Sequence, residues 1–133
     1  MPWVSEERCT GCGICVAECP VNAIVQKEDG VAEIIEVECI RCGDCHDVCP
    51  EEAVRHDSER IPQEVAENLR WVRKLLGHFD GAEEQSAFME RMVRFFKKEK
   101  QVSERTLAAL AAAGDKPGEA LEKAIGELGK EEN

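Results

Sequence analysis

No stretch of this chain approaches the ~20 consecutive apolar residues that a membrane-crossing helix needs. No coenzyme-binding glycine loop, no catalytic triad and no acid–base pair of carboxylates stands out along its 133 residues. No secretory leader precedes Cys9. Positive charge is scarce in the first part of the chain. Residues 1–57 hold four Lys and Arg (Arg8, Lys27, Arg41, Arg55) against 13 Asp and Glu, a net of −9, whereas residues 58–133 hold 13 against 15, a net of −2; together these give −11. Such an acidic excess argues against nucleic acid as the ligand of that part and favours encounter with basic patches on partner proteins.

Cysteine is absent everywhere except in two short stretches. The first reads Cys9-x-x-Cys12-x-x-Cys15-x-x-x-Cys19-Pro20, the second Cys39-x-x-Cys42-x-x-Cys45-x-x-x-Cys49-Pro50. Four disulfides would need an oxidising compartment, and the missing leader speaks against one. A zinc site takes two cysteines and two further ligands, which leaves no role for a third cysteine at the same spacing or for the proline that follows the fourth. Three soft thiolates on a tight loop instead suit the corner of an iron-based cluster. Gly11, Gly13 and Gly43 let the backbone approach the sulfurs, where amide hydrogens can stabilise added negative charge. Pro20 and Pro50 are expected to end the short helix that each fourth cysteine occupies.

The motifs belong to an internal repeat. A shift of 30 residues overlays all four cysteines and the proline, and also Gly13 on Gly43, Ala23 on Ala53, Ile24 on Val54 and Val4 on Ile34. Asp29-Gly30, between Ile24-Val25 and Val31 to Ile35, is a hairpin signal. The expected order is strand, ligand loop, short helix, strand, and then the same again. Two positions break the symmetry: Arg41 stands where the first motif has Gly11, and Asp44 where it has Ile14. His46, one residue past a cysteine, is read as a surface histidine.

This spacing is that of the bacterial ferredoxin run, and residues 1–57 resemble a two-cluster 4Fe-4S ferredoxin of the short clostridial type. The resemblance implies an α+β, pseudo-twofold dicluster fold. It implies two 4Fe-4S clusters with crossed ligands: Cys9, Cys12, Cys15 and Cys49 for cluster I, and Cys39, Cys42, Cys45 and Cys19 for cluster II. It further implies low reduction potentials, internal hopping between the clusters, and an anaerobic, reducing cytoplasm. The function expected is one-electron transfer with no substrate transformation of its own, so the chain is a carrier and not an enzyme. Arg41 beside cluster II is expected to raise that cluster's potential. Some 57 residues bury little apolar surface, so iron-free residues 1–57 are expected to be largely unfolded.

The resemblance ends near Asp57. Residues 58–133 read as an α-helical extension of about four helices. One starts at Pro62 and carries the stripe Val65, Leu69, Val72 and Leu76. After a break over Gly77 to Gly81, a second runs from Ala82 to Lys100 with Phe88, Met92, Phe95 and Phe96 on one face. Ser103 is expected to cap a third, with Leu107, Leu110 and Ala111, ending at Gly114-Asp115. Pro117 opens a fourth with Leu121, Ala124, Ile125 and Leu128, and Gly129 to Asn133 are expected to fray. Arg91, Arg94, Lys97, Lys98 and Lys100 are spaced as a helix face, with Glu90 and Glu99 interleaved, and read as a solvated face.

This extension either packs on its own apolar faces or docks on a partner. Trp71, Phe79, Phe88, Phe95 and Phe96 concentrate within it, as anchors of an interface do. The reading favoured is the electron-transfer subunit of a larger oxidoreductase, contacted by the helices, with no nucleic acid and no membrane span. A freely diffusing ferredoxin, and an iron–sulfur sensor acting through its helical half, are the alternatives.

Overall fold

The computed structural model describes residues 1–131. The chain divides into two compact units, Met1–Leu69 and the remainder from Arg70, and the division falls inside a helix.

The first unit contains four short strands and two one-turn helices: β1 (Trp3–Val4), α1 (Ile14–Glu18), β2 (Ile24–Gln26), β3 (Ala32–Ile34), α2 (Asp44–Val48) and β4 (Val54–Arg55). A 3-10 turn, Asp57–Arg60, leads into α3 (Ile61–Leu76). The strands form two antiparallel ribbons. β2 pairs with β3, setting Ile24 opposite Ile34. β1 pairs with β4, setting Val4 opposite Val54. These two pairs exchange under the 30-residue shift, so the sequence repeat is a structural twofold. The hydrogen bonds obey it as well. Ser5 N–H donates to the Ala53 carbonyl and Ile35 N–H to the Ala23 carbonyl, each at 2.7 Å.

The hairpin between β2 and β3 forms because Gly30 takes φ +86° while Asp29 accepts from the Val31 N–H at 2.9 Å. The core of this unit is small. Ile24, Ala32 and Val54 are buried with Cys15 and Cys45, and Val4, Val16, Ile34 and the half-buried cysteines close around them. Two cysteines thus occupy the centre of a core whose aliphatic members are few. At the open end, Trp3 Nε1 donates to the His56 carbonyl at 2.8 Å, and the Arg60 guanidinium lies over the Trp3 ring.

The second unit consists of the end of α3, α4 (Ala82–Ala111) and α5 (Pro117–Gly129). Sequence reading placed a break before Ser103 and hence about four helices in all; among the described residues there are three α-helices after the 3-10 turn. α4 runs unbroken for 30 residues, and Ser103 sits inside it instead of capping a new helix. No glycine or proline interrupts Gln101 to Arg105, and the Thr106 hydroxyl bonds back to the Val102 carbonyl at 2.7 Å across the supposed break. The break at Gly77–Gly81 is present: the Gln85 side chain donates to the Phe79 carbonyl at 2.8 Å and pins the turn. α5 begins at Pro117 and ends at Gly129; of the residues expected to fray, Glu132 and Asn133 lie outside the described residues.

Val72, Phe88 and Met92 form the core of this unit, with Leu75, Leu76, Phe79 and Phe96 around them. Phe79 stacks on Phe88 at 4.9 Å between centroids, and Phe96 meets Trp71 edge-on at 6.3 Å. Of the aromatics proposed as interface anchors, Phe88 is therefore interior, while Trp71 and Phe95 stay well exposed. Among the described residues no helix is long and apolar enough to cross a membrane.

Candidate functional site

Each cysteine motif curls because two of its residues adopt left-handed backbone. Gly11 (φ +77°) and Arg41 (φ +59°) lie between the first and second cysteines. Gly13 (φ +76°) and Gly43 (φ +84°) lie between the second and third and lead into α1 and α2. These turns bring three thiols round a common centre. The fourth cysteine does not belong to the helix as expected but stands just beyond it. Cys19 (φ −69°, ψ 117°) and Cys49 (φ −73°, ψ 113°) are extended, because a residue preceding proline is barred from helical geometry. The thiol is thereby turned out of its own motif.

The result is two hollows in the first unit. One is lined by Cys9, Cys12, Cys15 and Cys49, with Val4, Ala32 and Val54 as apolar wall and Gln26 and Glu51 at its edge. The other is lined by Cys39, Cys42, Cys45 and Cys19, with Val21, Ile24, Ile34 and Ile40 as wall. Each gathers three thiols from one motif and one from the other. In each the third cysteine (Cys15, Cys45) is buried, the second (Cys12, Cys42) is exposed, and the remaining two are half-buried. All eight thiols are unbridged.

Among the described residues no three His, Cys, Asp or Glu side chains converge closely enough to chelate one ion. The thiols surround a volume and not a point, which suits a multi-iron, thiolate-bound cluster better than a single zinc. Burial, reinforced by the neighbouring thiols, pushes the Cys15 thiol up and the Cys45 thiol up to about 11. Bare thiols in these positions hold their protons, so metal capture must expel them.

Backbone donors already face the sulfurs. Ala23 N–H donates to Cys19 Sγ at 3.2 Å and Ala53 N–H to Cys49 Sγ at 3.3 Å, a twofold-related pair. The overlay of Ala23 on Ala53 in the repeat was the signal for them. A third such bond, from the Arg41 N–H to Cys39 Sγ at 3.4 Å, has no counterpart in the first motif among the described residues.

The glycine at position 11 is explained by a close approach. A Cβ there would lie 2.9 Å from the Gly30 carbonyl oxygen, and the Gln26 amide donates to the carbonyls of both Gly11 (2.9 Å) and Gly30 (3.2 Å). The hairpin tip is thus strapped to the first motif, a contact that cysteine spacing could not announce. The hairpin has no equivalent beside position 41, which accommodates a side chain. The Arg41 guanidinium donates to Asp57 at 3.1 Å, and Asp57 also accepts from the Met1 amine. The amine foremost, with Arg41, holds the Asp57 carboxyl below the usual range. His46 lines neither hollow: its Nδ1 faces the Val54 carbonyl at 2.6 Å, and its ring rests 4.3 Å from that of His56.

Residues 8–54 match the family described as a 4Fe-4S dicluster domain. A protein named probable ferredoxin from Methanosarcina thermophila is 51% identical over 35 residues, which is 26% of this chain and 60% of that protein. The chain therefore spans less than two thirds of that relative's length. All eight cysteines fall inside the matched residues, whereas α3, α4 and α5 lie beyond them.

Proposed function

From the premise that residues 8–54 are a ferredoxin-type 4Fe-4S segment, we propose that this chain holds two 4Fe-4S clusters and passes single electrons at low potential, as the electron-transfer subunit of a larger oxidoreductase. Cys9, Cys12, Cys15 and Cys49 hold cluster I; Cys39, Cys42, Cys45 and Cys19 hold cluster II. The observation that carries this reading is the pair of hollows, each lined by three cysteines of one motif and the fourth of the other.

Bound there, the clusters supply reversible one-electron chemistry. The chain's own residues do the rest. Eight thiolates hold the iron, and the Ala23 and Ala53 amides offset negative charge at the sulfurs. Aliphatic walls limit water on the inner side. Cys12 and Cys42 reach the surface and give each cluster a short route to a partner. The acidic excess of residues 1–57 speeds encounter with a basic patch on that partner. Unbridged thiols suit a reducing compartment.

The helical half supports the subunit role through what it leaves uncovered. Met89, Val93, Val102, Leu107 and Leu110 of α4, with Ile125 and Leu128 of α5, are exposed, and α5 has no buried residue. A 13-residue helix with no fully buried residue, only Ala120, Leu121 and Ala124 half-buried, gains little by folding alone and gains much by docking. A freely diffusing carrier is the second reading, favoured by the separate core of the Met1–Leu69 unit.

Anaerobic purification from the source organism, followed by native mass spectrometry with iron and sulfide assay, tests both. The expected result is a chain carrying the mass of two clusters, bound at fixed stoichiometry to a larger redox protein. A lone, fully loaded chain would establish the free carrier. A chain that takes up zinc but no sulfide would end both readings.

A further inference from the structure

The two hollows are related by the twofold but are not chemically equal. Position 51 follows the proline of the second motif and lines the hollow of cluster I; position 21 follows the proline of the first and lines the hollow of cluster II. The former is Glu51 and the latter Val21. Cluster I would therefore have a glutamate at its rim where cluster II has a valine. The backbone donors differ in the same sense. Most such donors are matched across the twofold: Ala53 to Cys49 and Val16 to Cys15 at hollow I, Ala23 to Cys19 and His46 to Cys45 at hollow II; the Arg41 N–H to Cys39 at hollow II has no partner at hollow I among the described residues.

We propose that cluster II is the higher-potential member of the pair, with Glu51 and Val21 as the residues that set the order; this rests on the reading that both hollows hold clusters. Reduction adds one electron, and so one negative charge, to a cluster; no bond is made or broken and no proton need move. A carboxylate at the rim opposes that added charge, and each N–H aimed at a ligand sulfur favours it. Both differences make cluster II the easier to reduce. The Arg41 guanidinium acts in the same sense, offset only in part because Asp57 is shared with the Met1 amine. Asp44 and Asp47, exposed on α2, act in the opposite sense, but unlike Glu51 they line neither hollow.

An electron arriving at the chain therefore comes to rest on cluster II. Its exposed ligand, Cys42, lies between Arg41 and Gly43 in sequence and shares its hollow with the exposed Ile40.

The test is a dithionite titration of the full-length, loaded protein, followed by EPR and film voltammetry, with a reciprocal swap of the two side chains. Both positions are exposed at the rim of a hollow, so Glu51→Val and Val21→Glu are expected to leave the fold intact, which far-UV circular dichroism and the iron assay check. Wild type is expected to show two one-electron waves. Glu51→Val raises the lower wave alone, Val21→Glu depresses the upper wave alone, and the double swap narrows or reverses the gap. A single unsplit wave in wild type would overturn the proposal. So would movement of the upper wave by Glu51→Val, or waves indifferent to both changes. Iron short of two clusters overturns the underlying reading instead, and the iron assay made before titration tells the two failures apart.

Discussion

Cys49 shares a hollow with Cys15 although it closes the other motif, and Cys19 shares one with Cys45. The relationship depends on Pro20 and Pro50, which hold the preceding cysteine in extended geometry just past its helix. It makes a clear genetic pattern. Cys49→Ser is expected to damage the cluster built on Cys9, Cys12 and Cys15, and so to resemble Cys9→Ser. Cys19→Ser is expected to resemble Cys39→Ser. EPR line shapes of the four loaded variants check this. If Cys49→Ser instead resembled Cys39→Ser, ligation would be confined within each motif and the crossed assignment would fail.

Removal of iron should unfold one part of the chain and spare the other. The first unit's core has two cysteines among its five fully packed members, and domains this small commonly depend on metals to stay folded. The second unit has a core of its own, centred on Val72, Phe88 and Met92, with no thiol in it. Chelation under reducing conditions is expected to collapse the amide dispersion of residues 1–57 in an NMR spectrum while the resonances of α4 persist. Retained dispersion for Ile24, Ala32 and Val54 in iron-free protein would show that the aliphatic core suffices.

The site was legible in the sequence because its chemistry is written locally. Cysteine spacing, the prolines and the 30-residue shift are all short-range signals, and Asp29-Gly30 announced the hairpin that sets Ile24 against Ile34, whereas the ladder that sets Val4 against Val54 came only from the structure. What was missed depends on tertiary approach. Gln26 straps the hairpin tip to Gly11, and Arg41 is claimed by Asp57. Neither contact follows from spacing. The helical half was read correctly where glycine and proline punctuate it, at Gly77–Gly81 and Pro117, and incorrectly where a lone Ser103 was taken as a cap. Serine is tolerated within a helix when nothing nearby breaks the ladder.

That correction has its own test. Glu104 would occupy the first helical position if Ser103 were an N-cap, and proline is welcome there. Inside a continuous α4, proline removes a ladder bond and clashes with the carbonyl of Lys100. Glu104→Pro is therefore expected to cost about 3 kcal/mol or more in stability of the helical unit, read as lost ellipticity at 222 nm and an earlier urea transition. A variant as stable as wild type would restore the break.

The last prediction concerns the uncovered face of the helical half. Ile125 is 67% exposed and Leu128 46%, on a helix with no buried residue. Arg105 reaches Glu131 at 2.8 Å, and Val102 and Leu110 border the same open groove between α4 and α5. Exposed aliphatic side chains contribute little to the fold that carries them, so Ile125→Glu should change the chain's own stability by no more than about 0.5 kcal/mol. If the face meets a larger redox subunit, the same change places a carboxylate in a desolvated contact and should sever co-purification while leaving iron content and cluster potentials untouched. Co-purification that survives Ile125→Glu would move the docking surface elsewhere on the helical half. Loss of clusters with the variant would mean instead that α5 supports the ferredoxin segment's fold.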